Sequence, residues 1–276
     1  MTEFLNVDGG TIAYEVSGTA GPLVVVAHGM GDSREAYRFF TPALVEAGYR
    51  VAAVDLRGHG ESSVGWASYT RTDLAGDLIA LVKHLGGARY SSATPSRRRG
   101  HHRRGQGPGP GHRAGRTRAL HPQAADPARR LSGGSYRRGA THLMGTTILG
   151  STRQWAKYLD AAYPGPKPAD WDTRMAQITA MLEEPGRMKV LQAMGKISPA
   201  DAGEQLGNVT CPVLVVQGTL DPDWASPQAE GEAILADLRT GLGQLEMIEG
   251  AGHYPHVQFP QQTLTAVLAF LAGVRA

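Results

Sequence analysis

Residues 1–87 alternate short apolar runs with segments whose apolar residues recur at helical intervals. The runs at 23–27 and 50–54 are typical of strands buried on both faces of a parallel sheet. Residues 34–47 and 72–85 are predicted helices, and a glycine follows each of them. Before them, Asp8-Gly9-Gly10 predicts the turn of an opening hairpin. Strands alternating with helices predict an α/β fold with a mostly parallel sheet.

The last part of the chain, 209–276, repeats this alternation. The predicted elements are strands at 212–217 and 244–248 and helices at 228–238 and 261–271. Residues 146–208 differ, because prolines break them into short helical patterns that carry four large aromatic residues. These are Trp155, Tyr158, Tyr163 and Trp171. This segment is predicted to be a small helical lid.

Residues 88–135 depart from the pattern on both sides of them. Within 89–135 the only large aliphatic residues are Leu120 and Leu131, while arginine, glycine, proline and histidine dominate. A stretch with so few apolar residues cannot form a buried strand or an amphipathic helix. The sequence therefore divides into a core part at 1–87, an aberrant block at 88–135, a lid at 146–208 and a second core part at 209–276.

Charge is distributed just as unevenly. Residues 89–135 hold 11 of the 28 Lys+Arg and one of the 25 Asp+Glu, a balance of +10. The rest of the chain carries a balance of −7, although the whole chain has +3. A basic run of this kind ordinarily suggests a nucleic-acid partner, so it needs a separate explanation.

The remaining composition bears on the compartment. Cys211 is the only cysteine, so a disulfide framework is ruled out and a reducing compartment is favoured. No basic segment followed by an apolar run stands at the start, and no apolar run reaches the length of a membrane span. We therefore expect a cytoplasmic protein without a membrane partner.

Four segments carry specific chemical signals. Residues 24–31, VVVAHGMG, run from an apolar strand into a glycine loop, and 54–63, VDLRGHGESS, form a second loop after the next strand. Residues 215–223, VVQGTLDPD, place two acids after a strand, and 250–256, GAGHYPH, place two histidines in a later loop. Together these segments resemble the α/β-hydrolase superfamily, in its serine-nucleophile branch.

The resemblance implies a fold and a set of roles. The fold would be a mostly parallel eight-stranded sheet flanked by helices, with the acid Asp221 orienting the base His253. The backbone N–H of Met30, after Gly29, would stabilise an oxyanion. Motif position favours Asp221 over Asp223 and His253 over His256. By the same match, Asp55 and His59 are turn-forming rather than catalytic. No metal or organic cofactor is implied.

The nucleophile motif G-x-S-x-G is absent, and its expected position follows Gly86-Gly87, where the aberrant block begins. Back-translation with GC-rich codons in a shifted frame requires an apolar residue at three successive codons, which straddle residues 89 to 92. The codons that follow permit the rest of the sequence V-L-V-G-H-S-V. A second shifted register from Arg97 permits the following helix and strand, and the written frame reads normally again by Tyr136. The block thus has the pattern of a frameshift.

The shifted reading restricts the nucleophile. Its codon straddles Thr94 and Pro95 and takes its second base from the proline codon, so only Ser, Pro, Thr or Ala can result. Aspartate, the nucleophile of epoxide-hydrolase-like and dehalogenase-like relatives, is excluded, as is cysteine. The sequence therefore predicts a serine hydrolase for a small ester, thioester or lactone, with the nucleophile missing as written and its strand region disrupted.

Two alternatives remain open on the sequence. The chain could be a non-catalytic relative that binds a small ligand, or the arginine-rich block could be genuine and bind nucleic acid. The second alternative requires an exposed arm to replace a central strand of a buried sheet. Neither the substrate nor the oligomeric state is encoded in a pattern that we recognise.

Overall fold

The computed structural model describes residues 1–86, 134–197 and 200–275. Its strands are β1 (Glu3–Val7), β2 (Gly10–Ser17), β3 (Leu23–Ala27), β4 (Arg50–Val54), β5 (Val213–Gly218) and β6 (Gly243–Ile248). Its α-helices are α1 (Phe40–Glu46), α2 (Arg71–His84), α3 (Gly134–Leu149), α4 (Thr152–Ala162), α5 (Trp171–Glu183), α6 (Arg187–Gly195), α7 (Ala200–Gly203), α8 (Pro227–Asp237), α9 (Pro255–Gln258) and α10 (Pro260–Arg275).

The N-terminal strands form a four-stranded sheet in the order β1-β2-β4-β3. The predicted hairpin is the antiparallel pair β1–β2, and β3 runs parallel to β4 with Leu23 opposite Arg50. Both predicted parallel strands have the bounds that their apolar runs suggested. Parallel pairing brings the carboxyl ends of β3 and β4 to one edge, where the two glycine loops begin.

The helix predicted at 34–47 is wrong as a single element. The structure has a 3₁₀ helix at Arg34–Tyr37 and then α1 from Phe40. Pro42 accounts for the break, because a proline lacks the N–H of a helix interior and is tolerated only in the first turn. The guanidinium of Arg38, at the break, donates to Asp170 Oδ1 over 2.7 Å.

Helix α2 agrees closely with its prediction and is fixed by a capping box. Thr70 accepts from the N–H of Asp73, and the Asp73 carboxylate accepts from the N–H of Thr70. Its Leu81 is fully buried in a cluster with Ile12, Tyr14 and Val54. The helix therefore covers one face of the N-terminal sheet.

The C-terminal strands form a second sheet, in which β5 and β6 pair in parallel. Helix α10 contacts both sheets, because its Leu264 and Val267 pack against the core of α1 and β4, which includes Leu44 and Val51, and the helix also lies against β5 and β6. Among the described residues, β3 pairs only with β4, and β5 pairs only with β6. Six strands are thus present in the described ranges, where the resemblance implied a sheet of eight.

Helices α3 to α7 occupy the segment that contains the predicted lid. Their core is aromatic, with Trp155, Tyr158 and Tyr163 buried against Tyr254 of the later loop. Helix α3 spans the boundary predicted at 146. The aberrant block lies outside the described residues up to position 133, and with it Thr94 and Pro95. In the part of the chain that the structure describes, no helix is long and apolar enough to cross a membrane.

Candidate active site

The acid-bearing loop follows β5. The N–H of Leu220 donates to Ala251 O over 2.8 Å, which ties this loop to the loop after β6. At Gly218, a Cβ would collide with the carbonyl oxygens of Ala251 and Gly252, so only glycine permits this close approach. Asp221 lies three residues after Gly218 and is 6% exposed.

The histidine-bearing loop follows β6 and is anchored to helix α4. The N–H of His253 donates to Ala162 O over 2.9 Å, and the N–H of Gly252 donates to Gln258 Oε1 over 2.8 Å. The Gln258 amide in turn donates to Pro164 O over 2.9 Å. These contacts therefore fix the backbone of Gly252 and His253.

His253 faces two carboxylates. Its Nδ1 lies 3.0 and 3.1 Å from the two oxygens of Asp221 and 3.5 Å from Oδ2 of Asp223. The N–H of Asp223 also donates to Asp221 Oδ1 over 2.9 Å, so the two acids share one turn. The structure thus brings Asp221 and His253 into hydrogen-bonding contact and keeps Asp223 as the second neighbour.

The two carboxylates change the basicity of the imidazole. Burial on its own would lower the pKa of His253, but the charges of Asp223 and Asp221 and the hydrogen bond to Asp221 outweigh it and raise the pKa to about 9. The ring therefore holds its proton more firmly than an ordinary imidazole does. Within the described residues, His253 Nε2 makes no hydrogen bond.

A lid residue holds the second carboxylate. The hydroxyl of Tyr158 donates to Asp223 over 3.0 and 3.1 Å to its two oxygens. Tyr158 stacks on Trp155 with the ring centroids 4.9 Å apart, and Trp155 packs closely on Gly31 of the first glycine loop. The sequence pattern showed these aromatic residues only as lid residues and gave no signal for their partners, which lie far away along the chain.

The first glycine loop lies across a cavity from the acid loop. His28, Gly29 and Met30 line a cavity of about 560 Å³, and Asp223 lines it from the opposite loop. Most of the other walls are apolar, including Leu56, Leu74 and Leu143. Neither Gly29 nor Met30 donates a backbone hydrogen bond to any residue that the structure describes.

The second glycine loop is a closed hydrogen-bonded turn. Asp55 accepts from the N–H groups of Arg34 (2.7 Å) and Glu61 (3.0 Å) and pairs with the Arg34 guanidinium. His59 is 1% exposed and lies in this turn rather than beside Asp221 or His253. The other candidate base, His256, is half-buried and stacks on Tyr37 with the ring centroids 5.0 Å apart, and burial is the main cause that lowers its pKa to about 4.

One group of described residues could hold a metal ion. The ligand atoms of Asp221, Asp223 and His253 lie within 4.8 Å of one another. The same closeness is what an imidazole hydrogen-bonded to carboxylates requires, and the raised pKa of His253 fits a shared proton at this place.

Comparison of the sequence with known proteins finds a matching family and several related chains. A family model described as the alpha/beta hydrolase family matches residues 24–266. Epoxide hydrolase B of Mycobacterium tuberculosis is 43% identical over 68 residues, which cover 24% of this chain and 19% of that protein. Proline iminopeptidase PfmaB of Pestalotiopsis fici is 32% identical over 91 residues, 32% of this chain and 31% of that protein. The matched segments therefore span at most about a third of these two relatives.

Solved structures agree on the fold. A bromoperoxidase from Bacillus anthracis has a TM-score of 0.68 at 20% identity, covering 99% of this chain and 100% of the other. The enol-lactonase from Burkholderia xenovorans LB400 has a TM-score of 0.66 at 19% identity, covering 98% and 100%. At such identities the likeness establishes the architecture alone.

Proposed function

Because this chain belongs to the α/β-hydrolase family, we propose that it derives from a serine hydrolase of a small, partly apolar ester, thioester or lactone. The observation that carries this proposal is the contact of 3.0 Å between His253 Nδ1 and the buried Asp221. Both residues lie in loops at strand ends, and Met30, whose N–H donates to no described residue, lies across an apolar cavity from the acid loop.

The proposed reaction is acyl transfer to serine and then to water. The serine oxygen attacks the substrate carbonyl while its proton passes to Nε2 of His253, and Asp221 stabilises the imidazolium through Nδ1. The N–H of Met30, with that of the residue after the serine, binds the oxyanion. Collapse expels the alcohol or thiol, which takes the proton from His253. Water then repeats the attack and releases the carboxylic acid.

The nucleophile is part of the same proposal. We infer that three single-base losses within the gene segment for 88–135 put the nucleophile strand, the following helix and the next strand out of frame. The correct frame encodes Gly-His-Ser near Thr94 and Pro95. As written, the chain lacks this serine and does not hydrolyse esters. A cytoplasmic location and the absence of a nucleic-acid partner belong to this proposal too.

Nucleotide sequencing from the Gly86 codon to the Arg138 codon tests the frame directly. The expected result is three extra bases and an NCC serine codon. Clean reads that reproduce the written arginine, glycine and proline codons would overturn the frame proposal, especially if the host makes native protein of this length.

Ester hydrolysis tests the chemistry. The frame-restored enzyme, meaning the protein encoded after that correction, should release p-nitrophenol from p-nitrophenyl butyrate, and the chain as written should not. Dependence on His253 is measured with His253→Ala. His84→Ala serves as its matched control, because His84 is exposed at the end of α2. Hydrolysis by the chain as written that depends on His253 would contradict the missing-nucleophile proposal.

Epoxide hydrolysis is a second candidate, favoured by the local identity with epoxide hydrolase B. The family resemblance implies an aspartate nucleophile for such an enzyme, and the shifted codon at Thr94 and Pro95 does not permit aspartate. The same sequencing experiment therefore decides between the candidates. A GAC codon, together with opening of styrene oxide by the restored protein, would replace the serine proposal.

A further inference from the structure

Two buried histidines, His28 and His59, join the loop after β3 to the loop after β4. Their exposed fractions are 5% and 1%, so neither ring satisfies its nitrogens with bulk water. The N–H of Gly31 donates to His59 Nε2 over 3.0 Å, and the N–H of Leu56 donates to His28 Nε2 over 3.0 Å. Each loop thus contributes one imidazole and one N–H, and the two bonds are reciprocal.

The partners of the other ring nitrogens fix the protonation of both histidines. His28 Nδ1 lies 2.6 Å from Gly29 O, and His59 Nδ1 lies 3.1 Å from Arg57 O. A carbonyl oxygen only accepts, so each Nδ1 carries a proton and each Nε2 keeps its lone pair. Both rings are therefore neutral. Burial is the main cause that lowers their pKa values, that of His59 to about 3, which preserves this state at ordinary pH.

The reciprocal bonds fix the backbone on both sides of Met30. His28 bonds to the carbonyl of Gly29, and His59 accepts the N–H of Gly31. Gly31 has φ 73° and packs against Trp155, so only glycine suits this position. The N–H of Met30 is the one between these two anchors, and it donates to no described residue.

We propose that His28 and His59 are positioning residues, a reciprocal clasp that aims the Met30 N–H at the substrate carbonyl oxygen. This inference deepens the proposed function and rests on it for its kinetic consequence. An imidazole suits the task because one rigid ring presents a donor and an acceptor at a fixed separation. Preorganised donors stabilise an oxyanion because they need no rearrangement during the reaction.

Nuclear magnetic resonance tests the clasp without any activity. In protein labelled with ¹⁵N, an N–H···N hydrogen bond transmits a scalar coupling between its two nitrogens. We expect one coupling between Gly31 N and His59 Nε2 and another between Leu56 N and His28 Nε2. The measurement is made on the 276-residue chain and on the frame-restored enzyme. Both couplings in either protein support the clasp, and the absence of both couplings from both proteins overturns it.

Kinetics of the frame-restored enzyme test the positioning role. His59→Leu removes the acceptor and should lower kcat about 10- to 100-fold with KM nearly unchanged, somewhat less than the loss of a whole oxyanion donor. His59→Gln offers an oxygen to the Gly31 N–H and should recover kcat to within about fivefold of the parent. His84→Gln, at an exposed position, should leave kcat unchanged.

The outcomes separate the two proposals. Equal losses in His59→Leu and His59→Gln, or an effect on KM alone, overturn the positioning role even if the couplings are seen. A frame-restored parent that hydrolyses no ester overturns the proposed function, while observed couplings still support the clasp itself.

Discussion

His28 and His59, in the loops after β3 and β4, and His253, in the loop after β6, are the same residue type in opposite electrostatic states. The first two accept backbone N–H groups, and burial lowers their pKa values. His253, whose side chain is 35% exposed, faces two carboxylates, which raise its pKa to about 9 against the opposing effect of partial burial. The neighbours decide the difference, because burial alone would lower all three pKa values.

This comparison separates two ways of building a site. The loops after β3 and β4 are joined to each other by hydrogen bonds to two imidazoles that stay neutral at ordinary pH. The loops after β5 and β6 hold His253, which can exchange a proton and is hydrogen-bonded to Asp221, and a lid tyrosine donates to the neighbouring Asp223. In the proposed acyl transfer, a fixed oxyanion donor and a titrating base are two of the parts that the reaction needs beside the nucleophile.

Removing the His253 imidazole should give the largest loss of kcat. In the frame-restored enzyme, His253→Ala should lower kcat about 10³- to 10⁶-fold, because the serine loses its proton acceptor, with little change in thermal stability. Ester hydrolysis and the thermal midpoint are measured side by side. A comparable loss in kcat from His256→Ala, with the fold intact, would contradict the assignment of the base.

Substituting each of the two acids in turn should give the next largest effect on kcat. Asp221→Asn should reduce kcat about 10³- to 10⁴-fold, since an amide no longer stabilises the imidazolium at Nδ1. Asp223→Asn is the matched control, because its carboxylate lies farther from Nδ1, at 3.5 Å, and should cost less than about tenfold. The reverse order of the two effects would show that Asp223 is the triad acid.

The sequence predicted the elements that are determined by local hydrophobic patterns and short motifs. The apolar runs of β3 and β4 gave their bounds, and the loop motifs gave the positions of Met30, Asp221 and His253. The break before α1 was missed because the helical spacing of Tyr37, Phe40 and Leu44 masked the effect of Pro42. The residue assignments of the site remain predictions until variants are measured.

The rest of the site depends on contacts across the chain that no local pattern encodes. Tyr158 meets Asp223 across 65 positions, and Arg174 of α5 pairs with Asp32 across 142. The reciprocal bonds of His28 and His59 each span 28 positions. The motif match classed His59 as turn-forming, which describes where it lies but not that it accepts the Gly31 N–H.

The pH dependence of the frame-restored enzyme tests the charge difference. The base must be unprotonated, so kcat/KM should rise with pH and level off above about 9, the pKa of His253 in this setting. Asp223→Asn removes a negative charge that favours the protonated ring. The acid limb should therefore move to lower pH by roughly one unit. An unmoved limb, or one that moves upward, would show that Asp223 does not control this titration.

Tyr158→Phe should produce the smallest effect and tests whether the lid reaches the base through Asp223. The hydroxyl donates to both oxygens of Asp223, and its loss leaves more of that negative charge facing His253. The acid limb should then move upward by a few tenths of a pH unit, with activity at pH 7 reduced roughly two- to fivefold. Phenylalanine keeps the ring that stacks on Trp155, so the packing of α4 is preserved.

Tyr163→Phe is the matched control, because it removes a hydroxyl from the same aromatic cluster without facing Asp223. Its pH profile should match that of the parent. Equal shifts in both variants would mean that the lid acts through general packing and not through Asp223.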